Sequence, residues 1–325
     1  MSLELALRTA WQQSYAPEQP PSRCSAKPNF GARTGYARGL RSYTRRDEDA
    51  GPAAARVAAW AVLAVVGVVG CGLAVQRADA AVFWRGDFET GNFRQWQSVQ
   101  ARRGDISIVT SPVRQGSYAA RFVVHPGDVS VRHGGERSEL RASVAASGGN
   151  AGTDQWYGWS TLFPSSFNPT PGTNWNYFLQ WHDSRNNGCG PNIVYEVDES
   201  KTPARIGLRV RGGSISFSTC TATDDRAWFP VRLTINRWYD FVLHVHWSSD
   251  ASSGFVEGWI DGEHVIPKTY IATLYPDDGI YLKQGFYRKP SRLVSTLYQD
   301  AMRRGDSYAS VNPTGRKGRL RPRRK

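Results

Sequence analysis

Helical periodicity is missing from this 325-residue chain: no long stretch repeats its apolar residues at the spacing an amphipathic helix needs. Cysteine is scarce, four in all, and without a CxxC pair there is no thiolate zinc site to build. No internal repeat is visible, which excludes a propeller. Strong charge is also missing where the chain should fold. Residues 81–311 hold 24 Lys/Arg against 22 Asp/Glu, so no nucleic-acid partner is expected there. The formal charge of +13 comes mainly from the ends, since residues 1–80 carry 10 basic and 6 acidic side chains and residues 312–325 carry seven basic and none acidic. The closing GRKGRLRPRRK reads as a solvated, disordered tail that could touch polyanions.

Long apolar runs are equally rare. Ala55–Val75 follows Arg45, Arg46 and Arg56 and leads to Ala78-Asp79-Ala80, a small-x-small cleavage pattern. That combination predicts an export signal, with a mature chain starting near Ala81. Two alternatives stay open: a membrane anchor through residues 55–75, and a lipid anchor at Cys71, which ends a Val-Val-Gly-Cys lipobox. Export places Cys189 and Cys220 in an oxidising compartment, where a disulfide between them is expected.

What the chain does have is aromatics and turns, with 12 Trp, 14 Tyr and 32 Gly. From Phe83 onward, short runs such as ISIVT (106–110), QWYGWSTLF (155–163), YFLQWH (177–182) and WYDFVLHVHW (238–247) alternate with Gly, Asn, Asp and Pro. Asp261-Gly262 between two such runs signals a hairpin. Residues 81–311 are therefore predicted to form one all-β domain, a jelly-roll β-sandwich, and a monomer.

Three segments place polar side chains at alternate positions, as one face of a strand requires. In GERSELR (135–141), Arg137, Glu139 and Arg141 share a face. In QWH, Gln180 and His182 do, with Trp181 behind. In YLKQGFYR (281–288), Tyr281, Lys283, Gly285 and Tyr287 do. Each has an ordinary explanation alone: a surface ion pair, a satisfied histidine, aromatics that strands favour. Together, in order, they are more specific.

RSELR, QWH and YLKQGFYR resemble the three signature segments of jelly-roll polysaccharide lyases. The likeness is to the heparin lyase I family and the related glucuronan and alginate lyases. FWRGDFETGNFRQW (83–96) and LYQDAMRRGDSYASV (297–311) extend it over most of 81–311. Against the alginate lyase pattern, Trp181 and Arg288 are departures. The resemblance implies β-elimination in an anionic uronate polysaccharide. Arg137, Gln180 and His182 would face the uronate carboxylate, Tyr287 would be the acid and base, and His182 is the other candidate base. Lys283, Tyr281, Glu139 and Arg141 would bind or organise substrate, with Glu139 holding Arg137. Lys283 and Arg137 are expected to lower the Tyr287 pKa, and Gly285 to leave room for a sugar ring.

Two other functions compete. A non-catalytic sugar-binding module would also use aromatics and arginine. A jelly-roll hydrolase needs paired carboxyls, and YEVDES supplies only Glu196 and Asp198 on one face. No cofactor is implied; calcium stays open as an alternative, although Asp277-Asp278 matches no calcium loop, and His244 with His246 shows no third ligand nearby in sequence.

Overall fold

A computed structural model describes residues 80–129, 134–185 and 188–314. The export segment, Cys71 and tail residues 315–325 lie outside the described residues. Two antiparallel sheets face each other. The front sheet runs β10 (Thr221–Arg232), β9 (Arg205–Ser216), β8 (Ile193–Asp198), β7 (Asn176–Asp183), β14 (Ile280–Arg288), β5 (Glu136–Arg141), β2 (Ser98–Gln100). The back sheet runs β13 (Glu263–Tyr270), β12 (Phe255–Ile260), β11 (Arg237–His246), β6 (Asp154–Phe163), β15 (Ser295–Gly305), β4 (Ala119–Val124), β3 (Ile106–Val109), with β1 (Val82–Gly86) also paired to β15. This is the expected jelly-roll β-sandwich. Single helical turns, α1 (Val144–Ser147) and α2 (Tyr308–Val311), are the helices among the described residues. None is long and apolar enough to cross a membrane.

The sheets meet through inward aromatics. Trp181 of β7 packs edge-on against Tyr157 and Trp159 of β6 at 4.9 and 5.9 Å, and Trp159 stacks on Phe241 of β11 at 5.0 Å. All four rings are fully buried. Removing one such ring typically costs about 3–5 kcal/mol, so the residue between Gln180 and His182 helps to hold the sandwich together. The Asp261-Gly262 hairpin forms as expected, both residues having the positive φ of a type I′ turn, +54° and +80°.

Strict alternation fails at two places. On β7, Phe178 and Leu179 both enter the core, because the pairing to β8 shifts between Tyr177 and Leu179. On β14, three steps from Gln284 to Tyr287 oppose two on β7. These are β-bulges, which re-aim side chains. Gly285 lies in the second, with φ +140°, and a Cβ there would stand 2.2 Å from the Ser138 carbonyl oxygen and 3.0 Å from the Phe122 ring. The expectation that Gly285 clears space for a sugar is thereby corrected: its missing side chain accommodates the β5 backbone.

Candidate active site

β14 lies between β5 and β7, which brings the three segments side by side. Lys283 is registered with Arg141 and Gln180, Tyr281 with His182, and Tyr287 with Arg137. Cross-strand partners stand about 5 Å apart and interact directly. Arg137, Arg141, Gln180, His182, Tyr281, Lys283 and Tyr287 line one groove of about 480 Å³, within the range of ligand pockets.

Glu139 sits at the centre, 2% exposed. Its carboxylate receives Arg137 Nη1 at 3.3 Å and the Gln180 amide, and lies 3.6 Å from Lys283 Nζ. It thus holds Arg137, as anticipated, and two further groove residues. An amide nitrogen has two hydrogens, so Gln180 keeps one after bonding Glu139. Burial pushes the Lys283 pKa down, and the Arg137 and Arg141 charges act the same way against the pull of Glu139. Arg137 and Lys283 share this one carboxylate, and Arg141 stands opposite Lys283 in the register, so cations outnumber Glu139 here. The Nε atoms of Arg137 and Arg141 are buried without a hydrogen-bond partner among the described residues.

A tyrosine stands at each end of this centre. The Arg141 guanidinium lies 4.0 Å over the Tyr281 ring, and that of Arg137 3.9 Å over Tyr287. Tyr281 is buried, stacks on His182 at 5.4 Å, and is pushed up to about 12, mainly by burial. Tyr287 is only half-buried. Its pKa is also raised: burial dominates, and the Arg137 charge offsets it only in part. This corrects the expectation that Arg137 and Lys283 would lower it. His182 Nδ1 lies 2.7 Å from the Asp183 carboxylate, which fixes the ring and leaves Nε2 for the groove.

Several groove residues escape strict alternation. Tyr177 and Trp175 pack edge-on against Tyr287 at 6.0 and 5.4 Å. Tyr177 is three residues from Gln180, and the bulge alone brings it to the groove. Gly135 permits the close approach of Tyr287, whose ring would lie 2.2 Å from a Cβ there. Gln100 and Arg211 line the groove as well, and Cys189 and Cys220, joined as expected in a disulfide, form part of its wall.

The competing motifs do not line the groove, although Glu196 stands opposite Tyr177 in the β7–β8 register. Glu196 is fully buried, pushed up to about 7 by burial, and Asp198 is bonded to Ser200; neither lines the groove. Arg288 turns to the inner side and pairs with Glu136 at 2.9 Å, so its departure from the alginate lyase pattern leaves the groove unchanged. Asp278 braces a turn by accepting from Ser184 and Gly279. His244 lies on the back sheet between Asp154 at 2.5 Å and Glu257 at 3.3 Å, acidic neighbours remote in sequence.

The site is thus a cationic, tyrosine-bearing groove on one face of a two-sheet sandwich. Residues 88–303 match the family model described as polysaccharide lyase. The chain belongs to the polysaccharide lyase family and is an enzyme, a lyase acting on polysaccharides. No curated protein matches it significantly. Among solved structures, the endo-β-1,4-glucuronan lyase of the fungus Trichoderma reesei is similar, with a TM-score of 0.56 and 21% identity over 69% of this chain and 96% of that one. Also similar are the catalytic domain of a glycoside hydrolase family 131 protein from Coprinopsis cinerea (TM-score 0.48, 11% identity, 71% and 97% covered) and an alginate lyase from Pseudomonas aeruginosa (0.41, 17%, 58% and 83%).

Proposed function

We propose that the protein is an exported lyase that cleaves a β-1,4-linked glucuronate polymer by β-elimination. The observation that carries this reading is the cationic centre, Arg137 and Lys283 on the Glu139 carboxylate with Arg141 beside Lys283, flanked by Tyr287. A uronate carboxylate placed there meets Arg137 and the second Gln180 hydrogen, with His182 Nε2 further along the groove. Arg137 and Gln180 stabilise the negative charge that develops when the C5 proton leaves.

Tyr287 then takes the C5 proton as phenolate. The C5–H electrons form the C4=C5 double bond, the C4–O4 bond breaks, and the same phenol returns the proton to O4. In D-glucuronate the C5 hydrogen and O4 lie on one face of the ring, so a single residue suffices. The register favours this over His182 as base. His182 faces Tyr281, six residues from Tyr287 along β14, or roughly 20 Å at ~3.3 Å per residue. One sugar ring does not span that distance, so His182 serves substrate binding.

Charge favours an unsulfated substrate. Of the four cations lining the groove, Arg137 and Lys283 share Glu139, and Arg211 is paired with Asp225 at 3.2 Å. That suits one carboxylate per sugar better than the dense sulfates of heparin. The glucuronan lyase likeness points the same way. Export agrees with the Cys189–Cys220 disulfide, a bond of oxidising compartments.

The test is incubation of the purified protein with glucuronan, alginate and heparin, following ultraviolet absorbance of the unsaturated product and new reducing ends. Absorbance rising with glucuronan is expected. New reducing ends without the chromophore would make the protein a hydrolase, and binding without cleavage of any polymer would make it a sugar-binding module.

A further inference from the structure

Behind the groove, where β5 begins, Asp105, His125 and Asp128 bring three ligand atoms within 4.8 Å of one another. His125 Nδ1 lies 3.3 Å from Asp105 Oδ1 and 3.3 Å from Asp128 Oδ2. Those separations exceed the usual 2.7–3.2 Å of an N–H···O bond. They match the edge of a tetrahedron around an ion with bonds of about 2.0–2.1 Å, roughly 3.3–3.4 Å.

Burial points the same way. The Asp128 side chain is fully buried and that of Asp105 is 8% exposed, whereas His125 is half exposed. Asp105 Oδ2 accepts no hydrogen bond among the described residues. Two adjacent buried carboxylates are costly without a strong positive partner. Arg102, whose Nε is 3.1 Å from Asp128 Oδ1, forms an ion pair with that carboxylate, and Asp128 Oδ2 also accepts the His125 backbone N–H at 2.5 Å. Arg102 acts as an outer partner that orients a ligand.

We propose that Asp105, His125 and Asp128 form a three-ligand site for a divalent transition-metal ion of the zinc type, open to water on the His125 side, which braces the start of β5. One imidazole and two carboxylates suit zinc better than calcium, which takes six to eight oxygens. The site is tied to the groove through the backbone. The Asp128 carbonyl accepts the Arg137 N–H at 2.9 Å, the Asp105 carbonyl accepts from Ser138 at 3.4 Å, and Glu136 accepts from Gly127 at 2.6 Å. An ion fixing both aspartates therefore fixes the carbonyls that hold Arg137 and Ser138 at the start of β5.

The test reads metal, not catalysis, so its failure is separate from failure of the lyase reading. Purified protein is stripped with a chelator, reloaded with Zn²⁺, desalted and measured by elemental analysis and thermal melting. One equivalent should be retained, with a raised melting midpoint, and both should be lost in His125→Ala but kept in His244→Ala, whose histidine lies on the other sheet. Co²⁺ should give the intense visible absorption of a tetrahedral site. His125→Ala removes a half-exposed side chain, and its circular dichroism checks the fold. The proposal is overturned if the wild-type protein retains no ion, if His125→Ala retains as much, or if Ca²⁺ alone binds.

Discussion

Tyr287 carries the proposed proton transfer with a phenol whose pKa burial has raised. As base it acts through the phenolate, and below its pKa that fraction grows about tenfold per pH unit. The value of kcat/KM should therefore climb with a log slope near one from pH 7 to 9. A flat profile, or a limb near the imidazole range, would pass the base role to His182. Tyr287→Phe should lose roughly 10²–10⁴ in kcat with an unchanged melting curve. Glu139→Gln should act differently, because it leaves Arg137 and Lys283 as buried charges without their carboxylate. Breaking such a pair costs about 3–5 kcal/mol, which a urea midpoint would register together with loss of activity. The groove residues Arg137, Gln180, His182, Lys283 and Tyr287 were legible because alternation and motif agree. The sign of the Tyr287 shift was not, because a sequence displays neighbouring charges but not depth of burial.

At the scale of the element, the bulges decide what the groove contains. Tyr177 joins Tyr287 only because Phe178 and Leu179 both turn inward, and no strict period-2 count can anticipate that. β10 was equally hidden: its alternation is weak, it contains Pro230, and it lies at the sheet edge, where proline is tolerated. Gly285 shows how a correct position can carry the wrong reason. An alanine there meets the β5 backbone at 2.2 Å in a conformation with φ +140°. Gly285→Ala should thus lower the urea midpoint by an amount equivalent to at least about 1–3 kcal/mol, with activity falling alongside folding. Full stability with selectively weakened substrate binding would restore the sugar-clearance role.

At the scale of the whole molecule, buried phenols make stability fall at alkaline pH. Tyr177, Tyr275 and Tyr281 are each pushed up to about 12, chiefly by burial. The folded phenols keep protons that unfolded ones release near pH ~10. Their contribution is therefore complete below pH ~10 and is lost as pH rises toward 12. Melting midpoints taken from pH 8 to 12 should hold steady and then drop, and Tyr281→Phe should shallow that drop. A midpoint that is level across pH 10–12 would contradict the burial of these rings.

The strand order has a consequence in time. β14 separates β5 from β7, and β15 separates β4 from β6, yet both are the last strands of their sheets in the chain. A ribosome-bound chain that has not yet released residue 288 has neither of them in place. Its arginines and its histidine then belong to half-sheets with a missing middle. Such long-range pairing is slow to form, so cleaving power should arrive all at once and late, and any truncation before Ile280 should abolish it.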